Sequence, residues 1–339
     1  MNCITILKEK LLIQISKDSG GLSHISNLLR FSFELNNLDT NSQDKNFFQL
    51  NIGSIIKFNN EIISILNKYP NNTIVFCISH LDSRMLQFLL IIGFFYITTL
   101  KNDSKSFINL IEQIIKPKCI IQSEIQKLYQ ALQSIEKIRQ LLWIDCNKFN
   151  IKQYAINLIQ YNLSEIVPQK LYCFSSPVDD KYLTKIFQNQ NYDSTNSSPQ
   201  KNQLQSQLDP SQYLEVLGNL GITQIIRLNS KTYKSYKFTN FGFKHHDIYF
   251  PKNSLPTFDQ IREFIQICSQ KDKIAIHCTS GSGRSCLMIA CFCLYKYKLE
   301  SYQIINWIRL IRPGSISQLQ EQFLNENEQT IQNLFIQIK

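Results

Sequence analysis

From Lys273 to Leu294 the sequence reads as a strand, a tight loop and a helix in one unbroken run, and this run restricts the fold more than any other segment. The residues KIAIHC (Lys273–Cys278) have the β-branched, apolar character of a buried strand, and CLMIACFCL (Cys286–Leu294) has that of a buried helix. Between them HCTSGSGRS (His277–Ser285) places a cysteine at the strand end and several loop amides at a helix N-terminus. Peptide dipoles and unpaired N–H groups there favour an anion. Five residues separate Cys278 from Arg284, so a loop that curls once brings thiol and guanidinium to the same oxyanion, where the arginine can fork onto two oxygens. Gly281 and Gly283 permit the positive φ angles and close backbone approach that a nest of inward amides needs, and Thr279, Ser280 and Ser282 complete the anion-binding loop. The same positive field favours thiolate, the form that attacks. Ser285 is placed to donate a hydrogen bond to the sulfur and ease its departure from a phosphocysteine. A packed cysteine in a glycine turn with a surface arginine accounts for each residue singly, but not for all of them together.

A length of 339 residues with 43% hydrophobic residues supports two packed domains. The net charge of +10 favours anionic partners, yet Lys and Arg are scattered, with no basic stripe or module of a nucleic-acid binder. The ten cysteines sit mostly in apolar segments without metal-ligand spacing, so no metal or cofactor is expected and a reduced intracellular setting, cytoplasmic or nuclear, is preferred to a disulfide framework. Charges at Lys8, Glu9 and Lys10 come too early for a secretory signal. The stretch Met85 to Leu100 contains Gln87 and Gly93 and is shorter than the roughly 20 residues that span a bilayer, so it is expected to be a core helix and not a membrane insertion. Nothing in the sequence sets the oligomeric state.

The order strand, cysteine-containing loop, apolar helix recurs at TIVFCISHLDSRMLQFLLIIGFFY (Thr73–Tyr96), and an amphipathic helix follows each copy, SFINLIEQII and YQIINWIRLI. In the first copy six residues separate Cys77 from Arg84 and the intervening ISHLDS has no glycine, so Cys77 is expected to be a packed thiol. Asn189 to Asp209 is rich in Asn, Gln, Ser and Pro, the composition of a flexible loop. Pro210 then opens a helix that closes near Gly221, and the strand TQIIRLN follows.

Three segments, RLNSKTYKSYKFTNFGFKHHDIYF (Arg227–Phe250), HCTSGSGRS and WIRLIRPGSISQLQEQFL (Trp307–Leu324), together resemble the cell-division-cycle-fourteen phosphatases, a cysteine-based dual-specificity family. The resemblance extends to FNIKQYAINLIQYNLSEIVPQKLYCFSSP (Phe149–Pro177) and, apart from the first forty or so residues and the polar loop, covers most of the chain. It implies two tandem dual-specificity-phosphatase-like α/β domains, only the C-terminal one with an intact loop. The expected limits are a non-catalytic domain at 1–186, a flexible loop at 187–209, a linker helix at 210–221 and a catalytic domain at 222–339. The implied activity is metal-free hydrolysis of phosphoprotein monoesters through a cysteinyl phosphate. Cys278 is the nucleophile, Arg284 and the loop amides clamp the transition state, Ser285 helps the thiolate leave, and Gln320, with Gln322 as neighbour, orients the hydrolytic water. His277 is expected to be scaffold.

Two departures from the family pattern matter. Where the family carries an aspartate that protonates the leaving oxygen, HHDIYFPKNSLP has Lys252. A lysine ammonium ordinarily titrates near about 10.4 and is a poor proton donor at neutrality. Asp247 matches an aspartate that accompanies the family's acid, and Asp259 reads as a solvated helix charge. The acidic residues with which the family selects basic side chains are matched by Ala155, Leu158 and Asn162, so that preference does not carry over. The expected partners are phosphorylated proteins. A slow phosphatase biased toward phosphotyrosine is the first reading, and a phosphate-binding pseudophosphatase acting as an interaction module is the alternative.

Overall fold

The β-branched runs pair into two separate sheets. The computed structural model describes residues 3–15, 27–32, 50–78, 83–115, 122–179 and 208–335. The chain divides into the units Met1–Ile151 and Lys152–Lys339.

In the first unit β1 (Cys3–Leu7), β2 (Leu11–Ile15), β3 (Leu28–Ser32) and β4 (Thr73–Ile78) form a sheet of order β1-β2-β4-β3, antiparallel between β1 and β2 and parallel elsewhere. Helix α1 (Ile52–Lys68) starts at Asn51, whose side chain accepts the Ser54 N–H. The long apolar run forms α2 (Ser83–Thr98), buried from Met85 to Ile97, as its composition predicts. Gly93 is where α4 (Gln122–Gln140) crosses closely: a Cβ there would lie 2.2 Å from Leu132 Cδ2. Helix α3 is Ser104–Ile115. No helix among the described residues is long and apolar enough to cross a membrane.

The second unit contains α5 (Ile151–Tyr161, of which Ile151 belongs to the first unit), β5 (Ser164–Val167), β6 (Leu171–Ser175), α6 (Pro210–Asn219), β7 (Ile222–Arg227), α7 (Tyr236–Thr239), β8 (Lys244–Asp247), α8 (Phe258–Cys268), β9 (Lys273–Cys278), α9 (Arg284–Tyr297), α10 (Ser301–Ile311) and α11 (Gln318–Gln332). Its sheet has the order β5-β6-β9-β7-β8, with β5 antiparallel to β6 and the rest parallel. Strand β9 is central, flanked by β6 and β7, and α9 is buried on every side from Arg284 to Leu294. The carboxyl end of a central parallel strand is where open α/β sheets place ligands.

The expected boundary at 186 is corrected here. Strands β5 and β6 belong to the unit that carries Cys278, with β6 paired to β9 from Leu171↔Ile274 to Ser175↔Cys278. Nor is the helix at 210–221 a linker: Tyr213 and Leu217 share one buried cluster with Leu163, Phe174 and Ile225. Its start does follow the local signals, with Asp209 as N-cap, a capping box to Gln212 and Pro210 in the first turn. The rest of the polar segment at 187–207 lies outside the described residues.

The two sheets share a register that corrects the comparison of the two cysteines. Lys10 N–H donates to Leu7 O and Lys170 N–H to Val167 O, both at 3.0 Å, while Ile74 N–H donates to Lys10 O and Ile274 N–H to Lys170 O at 2.8 and 2.9 Å. With Leu11 opposite Ile74 and Leu171 opposite Ile274, Cys77 takes the register position of His277 and Ile78 that of Cys278. The first copy therefore keeps five residues before Arg84 but has isoleucine where the second has its thiol.

Candidate active site

The loop after β9 is shaped by what holds its carbonyls. Thr279 O accepts the Ser176 N–H at 3.1 Å, and Ser282 O accepts the Ile316 N–H at 3.2 Å. Ser280 O accepts Arg312 Nη2 at 2.9 Å, and Gly281 O accepts the Cys286 thiol at 3.5 Å. All four carbonyls are thus engaged from outside the loop, while the amides of Ser280 to Arg284 have no partner among the described residues. Carbonyls engaged from outside and amides without a protein partner are the arrangement that suits a loop to an anion. Gly281 is required twice over: its φ is +72°, and a Cβ would meet Phe174 O at 2.2 Å. Cys278 ends β9 at the base of this loop and is buried, 3% exposed.

Arg284 is folded inward, 6% exposed, with Nη2 donating to Thr279 Oγ1 at 2.9 Å. Its Nη1 donates to Phe250 O at 2.7 Å and Leu228 O at 3.2 Å. The Phe250 contact ties the segment containing Lys252 to the loop arginine. Lys252 itself is exposed in a turn closed by the Ser254 N–H to Pro251 O at 3.4 Å, with Asn253 at φ +64°.

Asp247 lies at the end of β8 and is held by Arg227, whose Nε and Nη2 donate to its two carboxylate oxygens at 2.7 and 2.9 Å. Burial alone would raise this carboxyl, but the Arg227 hydrogen bonds and charge outweigh it and hold it below the ordinary carboxylate range. A carboxylate so held is a poor proton donor. Behind it, Tyr233 Oη lies 2.9 Å from His245 Nε2 and 2.7 Å from His277 Nε2. A hydroxyl has one proton, so it donates to one imidazole and accepts from the other. Burial and the Arg227 charge push His245 down to about 4, and burial with the charges of His245 and Arg227 pushes His277 far down. Both shifts favour the neutral imidazole, in keeping with the hydrogen bond of His277 to Tyr233.

This network makes stability depend on acid. Between pH 6.5 and about 4 the unfolded chain protonates His245 while the folded one does not, so stability falls as pH drops through that window. Asp247 acts in the same direction as pH falls toward its depressed folded value. Urea unfolding at pH 7 and pH 5 is expected to show a loss of about 2 kcal/mol from His245 at the lower pH. Equal midpoints at the two pH values would refute the buried neutral network.

The remaining expected residues divide. Ser285 Oγ is buried and makes no hydrogen bond among the described residues, to the Cys278 sulfur or to any other group. Gln320 lies against the loop, since a Cβ on Gly283 would meet its Nε2 at 3.3 Å, while its Oε1 accepts the Ser317 N–H in a capping box. Gln322 bonds Glu326 on the surface, and Asp259 pairs with Arg262, as a solvated helix charge does. A cavity of about 360 Å³ opens beside Thr279 and Ser280, lined also by Leu158, Ile159, Tyr161, Asn162, Leu208 and Tyr213 among others, with no charged side chain in its wall. Sequence reasoning did not single out Arg312, Tyr233 or Arg227 as part of the site. The signal for Arg227 was present, an arginine ending the buried strand pattern ITQIIR.

A family model described as "Dual specificity phosphatase, catalytic domain" matches residues 203–329. The chain is similar to the dual specificity protein phosphatase CDC14B of Mus musculus, 30% identical over 204 residues, covering 58% of this chain and 38% of that one. It is also similar to the tyrosine-protein phosphatase cdc-14 of Caenorhabditis elegans, 28% identical over 204 residues, covering 59% and 26%. The chain thus spans well under half the length of these relatives. Among solved structures, the crystal structure of PTPMT1 is similar with a TM-score of 0.38 at 14% identity, covering 50% of this chain and 95% of that one.

Proposed function

We propose that the chain, whose C-terminal half is similar to CDC14-type dual-specificity phosphatases, is a protein phosphatase working through a cysteinyl phosphate. The supporting observation is the loop whose four carbonyls are all engaged from outside it, together with the buried Arg284 donating to Thr279 Oγ1 of the same loop. Cys278 thiolate attacks phosphorus, an S–P bond forms, the P–O bond to the substrate breaks, and the departing oxygen takes a proton from solvent water. Water then attacks phosphorus, the S–P bond breaks, and thiolate and inorganic phosphate are released. Arg284 and the loop amides stabilise the charge on the transferring group. Ser285, after a rotation of its free hydroxyl, assists thiolate departure, and Gln320 orients the water. The positive potential for this chemistry comes from the amides and the guanidinium, and the reading assigns no metal. The first unit, with Ile78 at the nucleophile's register position, is a non-catalytic copy of the second.

Lys252 makes the enzyme slow, and it biases turnover toward phosphotyrosine because a phenolate leaves more readily than an alkoxide. The neutral wall of the adjacent cavity gives no selection for basic side chains. Lys252 also favours a second reading, a phosphate-binding pseudophosphatase that captures phosphoproteins. Phosphate release from phosphotyrosine and phosphoserine peptides by the purified full chain separates the two. Release from phosphotyrosine, absent in Cys278→Ser, supports the enzyme; peptide binding without release supports the interaction module.

A further inference from the structure

One buried arginine holds the Ser280 carbonyl from outside the loop. Arg312, just after α10, is 4% exposed. Its Nη1 donates to Asn162 O at 2.9 Å and Ser164 Oγ at 3.1 Å, and its Nη2 donates to Asn162 Oδ1 at 2.6 Å and Ser280 O at 2.9 Å. Its Nε is buried without a partner, and no carboxylate pairs with it among the described residues. A buried, uncompensated guanidinium is costly to fold, so its position calls for an explanation. That position is directly behind the loop: a Cβ on Gly281 would meet Arg312 Nη2 at 3.0 Å.

We propose that Arg312 is a positioning residue that builds the anion site, turning the Ser280 carbonyl outward by anchoring it to Asn162 and adding an unpaired positive charge behind the loop. The planar fork is essential, because Nη2 must reach Ser280 O and Asn162 Oδ1 at once while Nη1 reaches Asn162 O and Ser164 Oγ. Asn162 is shaped for this: at φ +48° it presents carbonyl and side-chain oxygens to the same guanidinium, and its Nδ2 approaches Ser280 O at 3.4 Å. Because Ser280 and Asn162 also line the neutral cavity, the anchor joins that wall to the phosphate loop.

The inference rests on the proposed site as an anion binder but not on turnover, so the test uses binding. Protection of Cys278 from iodoacetamide by tungstate and by inorganic phosphate is measured on the full chain, with urea midpoints alongside. Arg312→Gln is expected to weaken protection more than tenfold, and Arg312→Lys, which keeps the charge but loses the fork, several-fold. A folded Arg312→Gln variant with affinity within twofold of wild type, or full rescue by lysine, overturns the proposal. If Arg312→Gln does not fold, Asn162→Gly decides: it tolerates the positive φ, removes one acceptor, and is expected to lose at least threefold, whereas unchanged affinity overturns the proposal. Wild-type protection without peptide turnover would count against the enzyme reading while leaving this one standing.

Discussion

Cys278→Ser is expected to abolish phosphate release, a loss on the order of 10⁴–10⁶, the scale on which removing a nucleophile disables a catalytic unit. Cys77→Ser should leave release within a few-fold of wild type. The contrast follows from register, since Cys77 shares the position of His277 and it is Ile78 that shares the position of Cys278. The Cys77 thiol lies 3.8 Å from Gln14 Oε1, and burial raises it against the pull of Arg30. Neither feature prepares a nucleophile. Both variants need to be folded for the comparison, which circular dichroism and urea midpoints establish. Equal losses in two folded variants would show that the thiol in the first unit contributes to turnover and that its assignment as a packed residue is wrong.

Features written in one continuous segment are legible from the residues alone. The Cys278 to Arg284 spacing, the two glycines and the following apolar helix form a local instruction, and Arg284 donates back to Thr279 Oγ1, the residue after Cys278. The start of α6 is equally local, because Asp209 and Pro210 supply a cap and a fixed φ within two residues. What stays hidden is carried by pairing between distant segments. That β6 lies beside β9 depends on contacts between residues near 173 and 276, and nothing in LYCFS itself names its partner. The same limit explains the one-residue offset of Cys77, since side chains alternate along a strand and only the ladder fixes the count. Arg312 is illegible for another reason. An arginine beside a proline and a glycine reads as surface, and its burial is set by Asn162, Ser164 and Ser280 arriving from elsewhere in the chain.

Lys252→Asp should raise activity, by on the order of 10²–10⁴ where the new carboxyl reaches the leaving oxygen, the usual contribution of general acid catalysis. The geometry favours the attempt. Phe250 O is fixed by Arg284 Nη1 at 2.7 Å, so position 252 lies two residues from a backbone contact of the loop arginine. The turn around it is set by Asn253 at φ +64° and by the Ser254 N–H on Pro251 O, and neither involves the Lys252 side chain. The gain should be larger for phosphoserine than for phosphotyrosine, because alkoxide departure depends more on protonation. It should appear in kcat with little change in KM, the signature of an interaction made only in the transition state. Asp247→Asn is the companion. Arg227 already occupies both Asp247 oxygens, so the change should leave kcat nearly unaltered while lowering the unfolding midpoint, as the buried guanidinium loses its charged partner. If Asp247→Asn instead removes turnover and Lys252→Asp lowers it on both substrates in a folded protein, the proton comes from Asp247 after a rearrangement of its Arg227 pair, and Lys252 binds the substrate dianion.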